Sequence, residues 1–224
     1  MSYEEAAIYT RYGENLIRTL NQNSYAEADL CINLGVYYSA TGNLYKGLEL
    51  FEKCKDFCEQ TQDKKTNQVR TLLGIAFQYL GNTYLALGQL QNALNYFKNQ
   101  NSIWLTQYEE NPENIDFKNG LAISYEKLGE IQSNLGNLEK ALGYFEEYTR
   151  LGQELYDSYS ENVGFKNGLS ISYSKLAIIH SKMNNKEIAT KYFAKCKLMW
   201  EELSRDFPAY SEFKSNLEWV NNQM

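Results

Sequence analysis

The residues that could carry chemistry are few in this chain of 224 residues, and its single histidine is the first to consider. A histidine can act as a general base, but it then needs a nucleophile and a group that orients its ring. His180 instead stands where other copies of a repeated phrase have Tyr38 and Tyr84, on an apolar stripe. No phosphate-binding glycine loop, acid pair or nucleophile elbow accompanies it. The sequence therefore predicts a structural histidine and a protein that is not an enzyme.

Four cysteines are the other reactive residues. Cys54 and Cys58 are four residues apart and could share one face of a helix, but a zinc site takes four Cys or His ligands and the one histidine is far away in sequence. In a chain that begins without a secretory signal, cysteines are more often small buried residues than members of a disulfide framework. We therefore expect free, buried thiols, no metal site and no cofactor.

Composition narrows the class of partner. The formal charge is −6 and no basic run is longer than Lys64-Lys65, which argues against nucleic acid, because clustered Lys and Arg supply much of that affinity. The same charge argues against using the 19 tyrosines as a platform for stacking bases, so helix packing is the expected role of the tyrosines. No stretch approaches the roughly 18 apolar residues of a membrane span. We expect a cytoplasmic protein that contacts neither nucleic acid nor membrane.

One phrase occurs four times along the chain, at a nearly constant spacing. Its copies begin at Cys31, Phe77, Tyr125 and Tyr173. In the third copy, apolar residues recur at steps of three and four on both sides of a short junction, which is the spacing of two helical stripes. The junctions hold residues that can end a helix in the left-handed conformation: Gly42, Gly88, Gly136 and Asn184. Each phrase therefore predicts two helices joined by a tight turn.

This pattern resembles the tetratricopeptide repeat (TPR). An aromatic residue is followed by Leu-Gly, then by Tyr, and after the turn by Ala-x-x-x-Phe. The second phrase matches best, through Phe77, Leu80, Gly81, Tyr84, Gly88, Ala93 and Phe97. The resemblance implies an all-α, open right-handed α-solenoid of stacked antiparallel helix pairs. The period of about 46–48 residues departs from the usual one of about 34 residues, so we expect helices about seven residues longer than the common form.

The repeat phase predicts one TPR-like array over residues 1–224. Its expected parts are an N-terminal capping helix at 2–20, repeats at 24–61, 66–110, 113–159 and 161–206, and a C-terminal capping helix at 209–224. A stacked array leaves an apolar face open at each end, and the two capping helices are expected to cover those faces.

The resemblance also implies a function. In proteins of this type the first helix of each repeat lines a concave groove that binds a peptide or a partner helix. The positions of this chain that match the inward-facing ones are Gln78, Asn82, Glu126, Lys127, Glu130, Ser174, Lys175 and Ile178. The expected function is a protein-protein interaction scaffold or adaptor, as a monomer or weak homo-oligomer. Two alternatives stay open: a regulatory sensor of a short peptide or small ligand that changes the pitch of the superhelix, and a self-associating structural module.

Overall fold

A computed structural model describes residues 13, 15 and 24–224 of the chain. From residue 24 onward the described chain contains nine α-helices and no β-strand. The helices are α1 (Tyr25–Ala40), α2 (Leu44–Gln60), α3 (Asn67–Ala86), α4 (Leu90–Glu110), α5 (Ile115–Asn134), α6 (Leu138–Ser158), α7 (Val163–Lys182), α8 (Lys186–Asp206) and α9 (Ser211–Asn221). The capping helix predicted at 2–20 lies outside the described residues, apart from Gly13 and Asn15. We number the pairs α1/α2, α3/α4, α5/α6 and α7/α8 as repeats one to four.

Side chains at the helix starts explain several of these boundaries. Five helices begin with a Ser, Thr or Asn oxygen that accepts a hydrogen bond from the backbone N–H three residues on, which satisfies one of the free donors of the first turn. These residues are Ser24, Asn43, Thr66, Asn114 and Asn162. Asn137 and Asn185 stand in the same place before α6 and α8 but make no capping bond. The Asn137 side chain instead donates to the Gln132 side chain at 2.8 Å.

The turn inside each repeat requires a left-handed residue, as predicted. The φ angles are +87° at Gly42, +73° at Gly88, +79° at Gly136 and +63° at Asn184. A Cβ atom built on any of the three glycines would meet nothing within 4 Å. Backbone conformation, rather than crowding, therefore explains glycine at these turns.

The glycine of each Leu-Gly pair has a different reason. A Cβ atom on Gly35, Gly81 or Gly129 would lie 2.4, 2.5 or 2.4 Å from the nearest atom of a phenylalanine ring on the second helix of the same repeat. The rings belong to Phe51, Phe97 and Phe145. The motif thus records the closest approach of the two helices, because a side chain there would overpack a well-filled interface.

Contacts divide the chain into two compact units, residues 1–107 and 108–224. In the first unit α1 packs against α2 and α2 against α3, while in the second each of α5 to α8 packs against the next helix. All four cysteines are free and buried, as predicted. Burial raises the pKa of the Cys31 thiol to about 11 and that of Cys196 to about 12. Among the described residues, no helix has the length and apolar composition that crossing a membrane requires.

Candidate functional site

The eight predicted groove residues all lie on first helices. Gln78 and Asn82 are on α3, in the first compact unit; Glu126, Lys127 and Glu130 are on α5, and Ser174, Lys175 and Ile178 are on α7, in the second unit. The structure joins four of them into one cluster of charges between α5 and α7.

The cluster contains two carboxylates and two ammonium groups. Glu130 contacts Lys127 at 3.1 Å and Lys175 at 2.5 Å, whereas Glu126 lies 3.6 Å from the Lys175 Nζ. The exposed fractions of the side chains are low for charged residues, 16% for Glu126, 20% for Lys127, 23% for Lys175 and 25% for Glu130. The two contacts of Lys175 join α5 to α7, and the cluster forms a charged surface between two neighbouring first helices.

The two carboxylates experience different environments. Burial raises the pKa of Glu126, and the nearby lysines do not reverse that rise. Burial also acts to raise the pKa of Glu130, but Lys127 and Lys175 outweigh it and the pKa of Glu130 falls below its usual value. Glu126 is therefore the less well compensated negative charge of the cluster.

Three of the other four predicted residues, all but Asn82, have contacts that the structure shows. Gln78 accepts a hydrogen bond from the Gln100 side chain at 3.0 Å. Ser174 is buried and donates to the Ile171 carbonyl at 2.7 Å. Ile178 packs against the core cluster of α7, α8 and α9. None of these contacts measures binding, so a binding role for all eight residues stays a prediction.

His180 is packed rather than exposed. Its ring stacks on Tyr192 with 5.8 Å between centroids and 5° between planes, and its Nδ1 lies 3.4 Å from the side-chain amide nitrogen of Asn185. The residue is 8% exposed. Within the described part of the chain, no group of three or more His, Cys, Asp or Glu side chains could hold a metal ion.

A recess beside the charge cluster was not predicted from the sequence. Its volume is about 340 Å³, and residues of α5, α6 and α7 line it. Glu126 and Asn119 contribute polar groups from α5, while Gly152, Gly164 and Gly168 leave room on α6 and α7. Much of the remaining wall is apolar. The volume falls in the range of pockets that bind small molecules or single side chains.

The sequence did contain one signal for this recess. Gly152, Gly164 and Gly168 lie within helices, where glycine costs about 1 kcal/mol relative to alanine. No atom comes within 4 Å of a Cβ built on Gly168, so crowding does not explain that glycine. The three glycines therefore leave side-chain volume missing at this place on α6 and α7.

Comparison with family models identifies the repeats. Residues 28–61 and 122–152 match one model described as a tetratricopeptide repeat, and residues 170–209 match another with the same description. Comparison with curated protein sequences finds no match.

Solved structures share the fold at low sequence identity. The apo form of RapI has a TM-score of 0.70 and 15% identity, covering 92% of this chain and 66% of its own. A variant of a Podosopora anserina putative kinesin light chain with nearly identical TPR-like repeats has a TM-score of 0.66 and 17% identity, covering 90% and 94%. The Rap conjugation gene regulator of plasmid pLS20, in complex with the Phr* peptide, has a TM-score of 0.59 and 16% identity, covering 87% and 48%. This chain therefore spans only part of the two Rap proteins, and the likeness establishes an all-α solenoid of helix pairs.

Proposed function

Because this chain is a tetratricopeptide repeat protein, we propose that it is an interaction scaffold or adaptor, which binds a peptide or a partner helix along the surface of its first helices. It acts by binding rather than by catalysis. The Rap regulator of similar fold was solved with the Phr* peptide, which supports a polypeptide partner for this fold.

The charge cluster between α5 and α7 is the observation that carries the proposal. Ion pairs join Glu126 and Glu130 of α5 to Lys175 of α7, and the apolar recess adjoins Glu126. A surface that combines a fixed charge pattern with an apolar recess provides both orientation and buried area to a bound chain.

A charge-inversion variant tests the proposal without breaking the ion pairs. Reversing Lys175 alone would bring three carboxylates together and could unfold the protein. The fourfold change Glu126→Lys, Lys127→Glu, Glu130→Lys and Lys175→Glu keeps opposite charges facing each other and inverts the field that a partner meets. We expect this variant to melt close to the unmodified protein and to lose the partners that the unmodified protein captures from native cytosol.

The matched control lies on α8. Lys191 and Glu187 form an exposed pair at 2.7 Å, and exchanging them inverts a charge pair outside the proposed surface. The control should keep every partner. Capture should also weaken as salt rises, because screening acts over about 8–10 Å at physiological ionic strength. If the α8 exchange removes the partners and the fourfold inversion does not, the first helices are not the binding surface. The milder Lys127→Gln provides the same test should the fourfold variant fail to fold.

Self-association is a second candidate, favoured by exposed aromatic residues near the end of the chain. Tyr210 is 57% exposed and stacks on Phe213, and Trp219 is 36% exposed and meets Trp200 edge-on. A second copy of the chain would cover them. Sizing chromatography over a hundredfold range of concentration tests this, and a Trp219→Ser variant should shift the elution toward the monomer.

A further inference from the structure

One position of the second helices differs among three repeats. When the second helices of repeats two, three and four are aligned at the repeat period, Trp104 of α4, Gly152 of α6 and Trp200 of α8 fall at the same point. Two repeats thus fill this point with the largest side chain available. The third repeat leaves it empty.

Trp200 shows how an indole fits this point of the repeat. The side chain is buried, with 2% of the residue exposed, and it belongs to the cluster that also contains Phe213 of α9. Its ring N–H donates to the Asn167 side-chain oxygen at 3.0 Å. The ring of Trp219 meets it edge-on, with 6.4 Å between centroids. The fourth repeat therefore provides both an apolar slot and an acceptor for the indole N–H.

The recess at Gly152 has an equivalent arrangement of residues but no indole ring. Asn119 stands one repeat period before Asn167 and lines the recess, so it holds the place of the acceptor. A Cβ on Gly152 would meet its nearest atom, the Leu169 Cα, at 3.8 Å, which is an ordinary contact. The recess of the third repeat thus offers an aromatic ring of a partner the space that corresponds to the one Trp200 fills in the fourth repeat.

We propose that this recess binds the tryptophan side chain of a partner polypeptide, and that a Lys or Arg next to that tryptophan pairs with Glu126. This inference rests on the proposed scaffold function and names the chemistry of its partner. The basic neighbour follows from charge: Lys175 lies nearer to Glu130 than to Glu126, and the whole chain carries −6. A cation of the partner would add a charge-assisted hydrogen bond to this carboxylate, which lies 3.6 Å from the Lys175 Nζ.

A fluorine-labelled peptide provides the direct test. The probe is an acetylated and amidated Gly-Lys-Trp-Gly-Gly peptide with 5-fluorotryptophan, whose ¹⁹F signal is separate from the protein's own tryptophans. We expect the signal to shift and broaden as protein is added, and the unlabelled peptide to compete with it. A peptide with Leu in place of Trp should compete poorly, because it lacks the ring and the N–H donor.

Gly152→Trp is the decisive variant, because it fills the recess with the side chain found in repeats two and four. The variant should raise the melting temperature of the protein and lower its affinity for the peptide at least about tenfold. Gly143→Trp is the matched control: Gly143 is also a glycine of α6 with nothing within 4 Å of its Cβ, but it lies outside the recess. The control should bind the peptide like the unmodified protein. If Gly152→Trp does not fold, Gly168→Leu fills the recess from α7 instead.

Two further variants test the individual contacts. Asn119→Ala removes the acceptor for the indole N–H and should lower the affinity for the peptide roughly three- to tenfold. Glu126→Gln should weaken the Lys-Trp peptide but leave a Gly-Trp peptide unchanged, which isolates the charge pair from the ring contact.

The outcomes separate this inference from the scaffold proposal. Undiminished peptide binding by Gly152→Trp, or no binding by the unmodified protein, overturns the tryptophan site. If free 5-fluoroindole binds as tightly as the peptide, the occupant is a small molecule and the partner-chain assignment is wrong. In each of these cases, the scaffold function would still be supported if Gly152→Trp captures the partners normally and the fourfold charge inversion loses them.

Discussion

The third and fourth repeats have first helices of similar sequence but different surfaces. Their first helices share ten of thirteen residues from Phe117 to Gly129 and from Phe165 to Ala177. The fourth repeat fills its slot with Trp200, whereas the third has Gly152 and an open recess. The positions that hold Glu126 and Glu130 in the third repeat hold Ser174 and Ile178 in the fourth.

The two repeats therefore share a common frame and differ at a few variable positions. The frame consists of the apolar stripes, the left-handed turn residue and the close approach of the two helices. The variable positions are not among the residues of the frame. A large side chain can therefore be absent there, or a charge added, without a change in the arrangement of the helices. A repeat can therefore favour either packing or binding.

The largest effect should come from emptying the filled slot. Trp200→Gly removes a buried ring and its hydrogen bond to Asn167, and we expect a loss of about 3–5 kcal/mol in the free energy of unfolding, measured by urea denaturation. Trp219→Ala, at a residue that is 36% exposed, should cost clearly less. A loss below about 1 kcal/mol for Trp200→Gly would mean that the slot contributes little to packing.

The next largest effect is expected at the turn residues of the third and fourth repeats. Gly136→Val places a β-branched residue at a φ of +79° and should cost about 1–3 kcal/mol. At the equivalent turn, Asn184→Gly should change the free energy of unfolding little, because asparagine already tolerates its φ of +63°. Melting temperatures would show the order, and a larger loss for Asn184→Gly would contradict the role of backbone conformation.

The open slot should tolerate, and gain from, a small addition. Gly152→Ala adds a methyl group that meets only ordinary contacts and improves helix propensity, so the free energy of unfolding should rise by about 0.5–1 kcal/mol. Gly129→Ala is the informative opposite, since its Cβ would lie 2.4 Å from the Phe145 ring and should destabilise the fold. A melting temperature that falls for Gly152→Ala would mean that the recess closes in solution.

The smallest effect concerns pH. The raised pKa of Glu126 means that the folded protein holds this proton more tightly than the unfolded chain, so ionising Glu126 costs stability as the pH rises from its ordinary value near 4.5 through the raised one. Glu126→Gln removes that cost. Relative to the unmodified protein, the variant should gain stability between pH 4 and pH 7, by less than about 1 kcal/mol.

Urea titrations at the two pH values measure this difference. Glu130, Lys127 and Lys175 remain in both proteins, so much of their own pH dependence cancels in the comparison. The exposed Glu139, changed to Gln, serves as the control. A difference that runs in the other direction would show that the ion pair with Lys175 outweighs the burial of Glu126.

The repeat frame could be predicted from local sequence patterns. Helical stripes and left-handed turn residues are local or short-range features, and they recur from one repeat to the next. Copies of one pattern support one another, so Gly42, Gly88, Gly136 and Asn184 could all be assigned to turns from the sequence alone. The buried thiols followed from four cysteines that lack the ligand spacing of a metal site.

The location of the candidate site depends on how the helices pack and could not be predicted from local patterns. The cluster of Glu126, Glu130 and Lys175 joins side chains on different repeats, and the recess depends on what α5, α6 and α7 together leave unfilled. A glycine in a helix predicts missing volume, but not whether a neighbouring helix fills it. Spacing along the chain fixes what one repeat is, whereas the packing of one repeat on the next fixes which polar groups are desolvated and which spaces remain open.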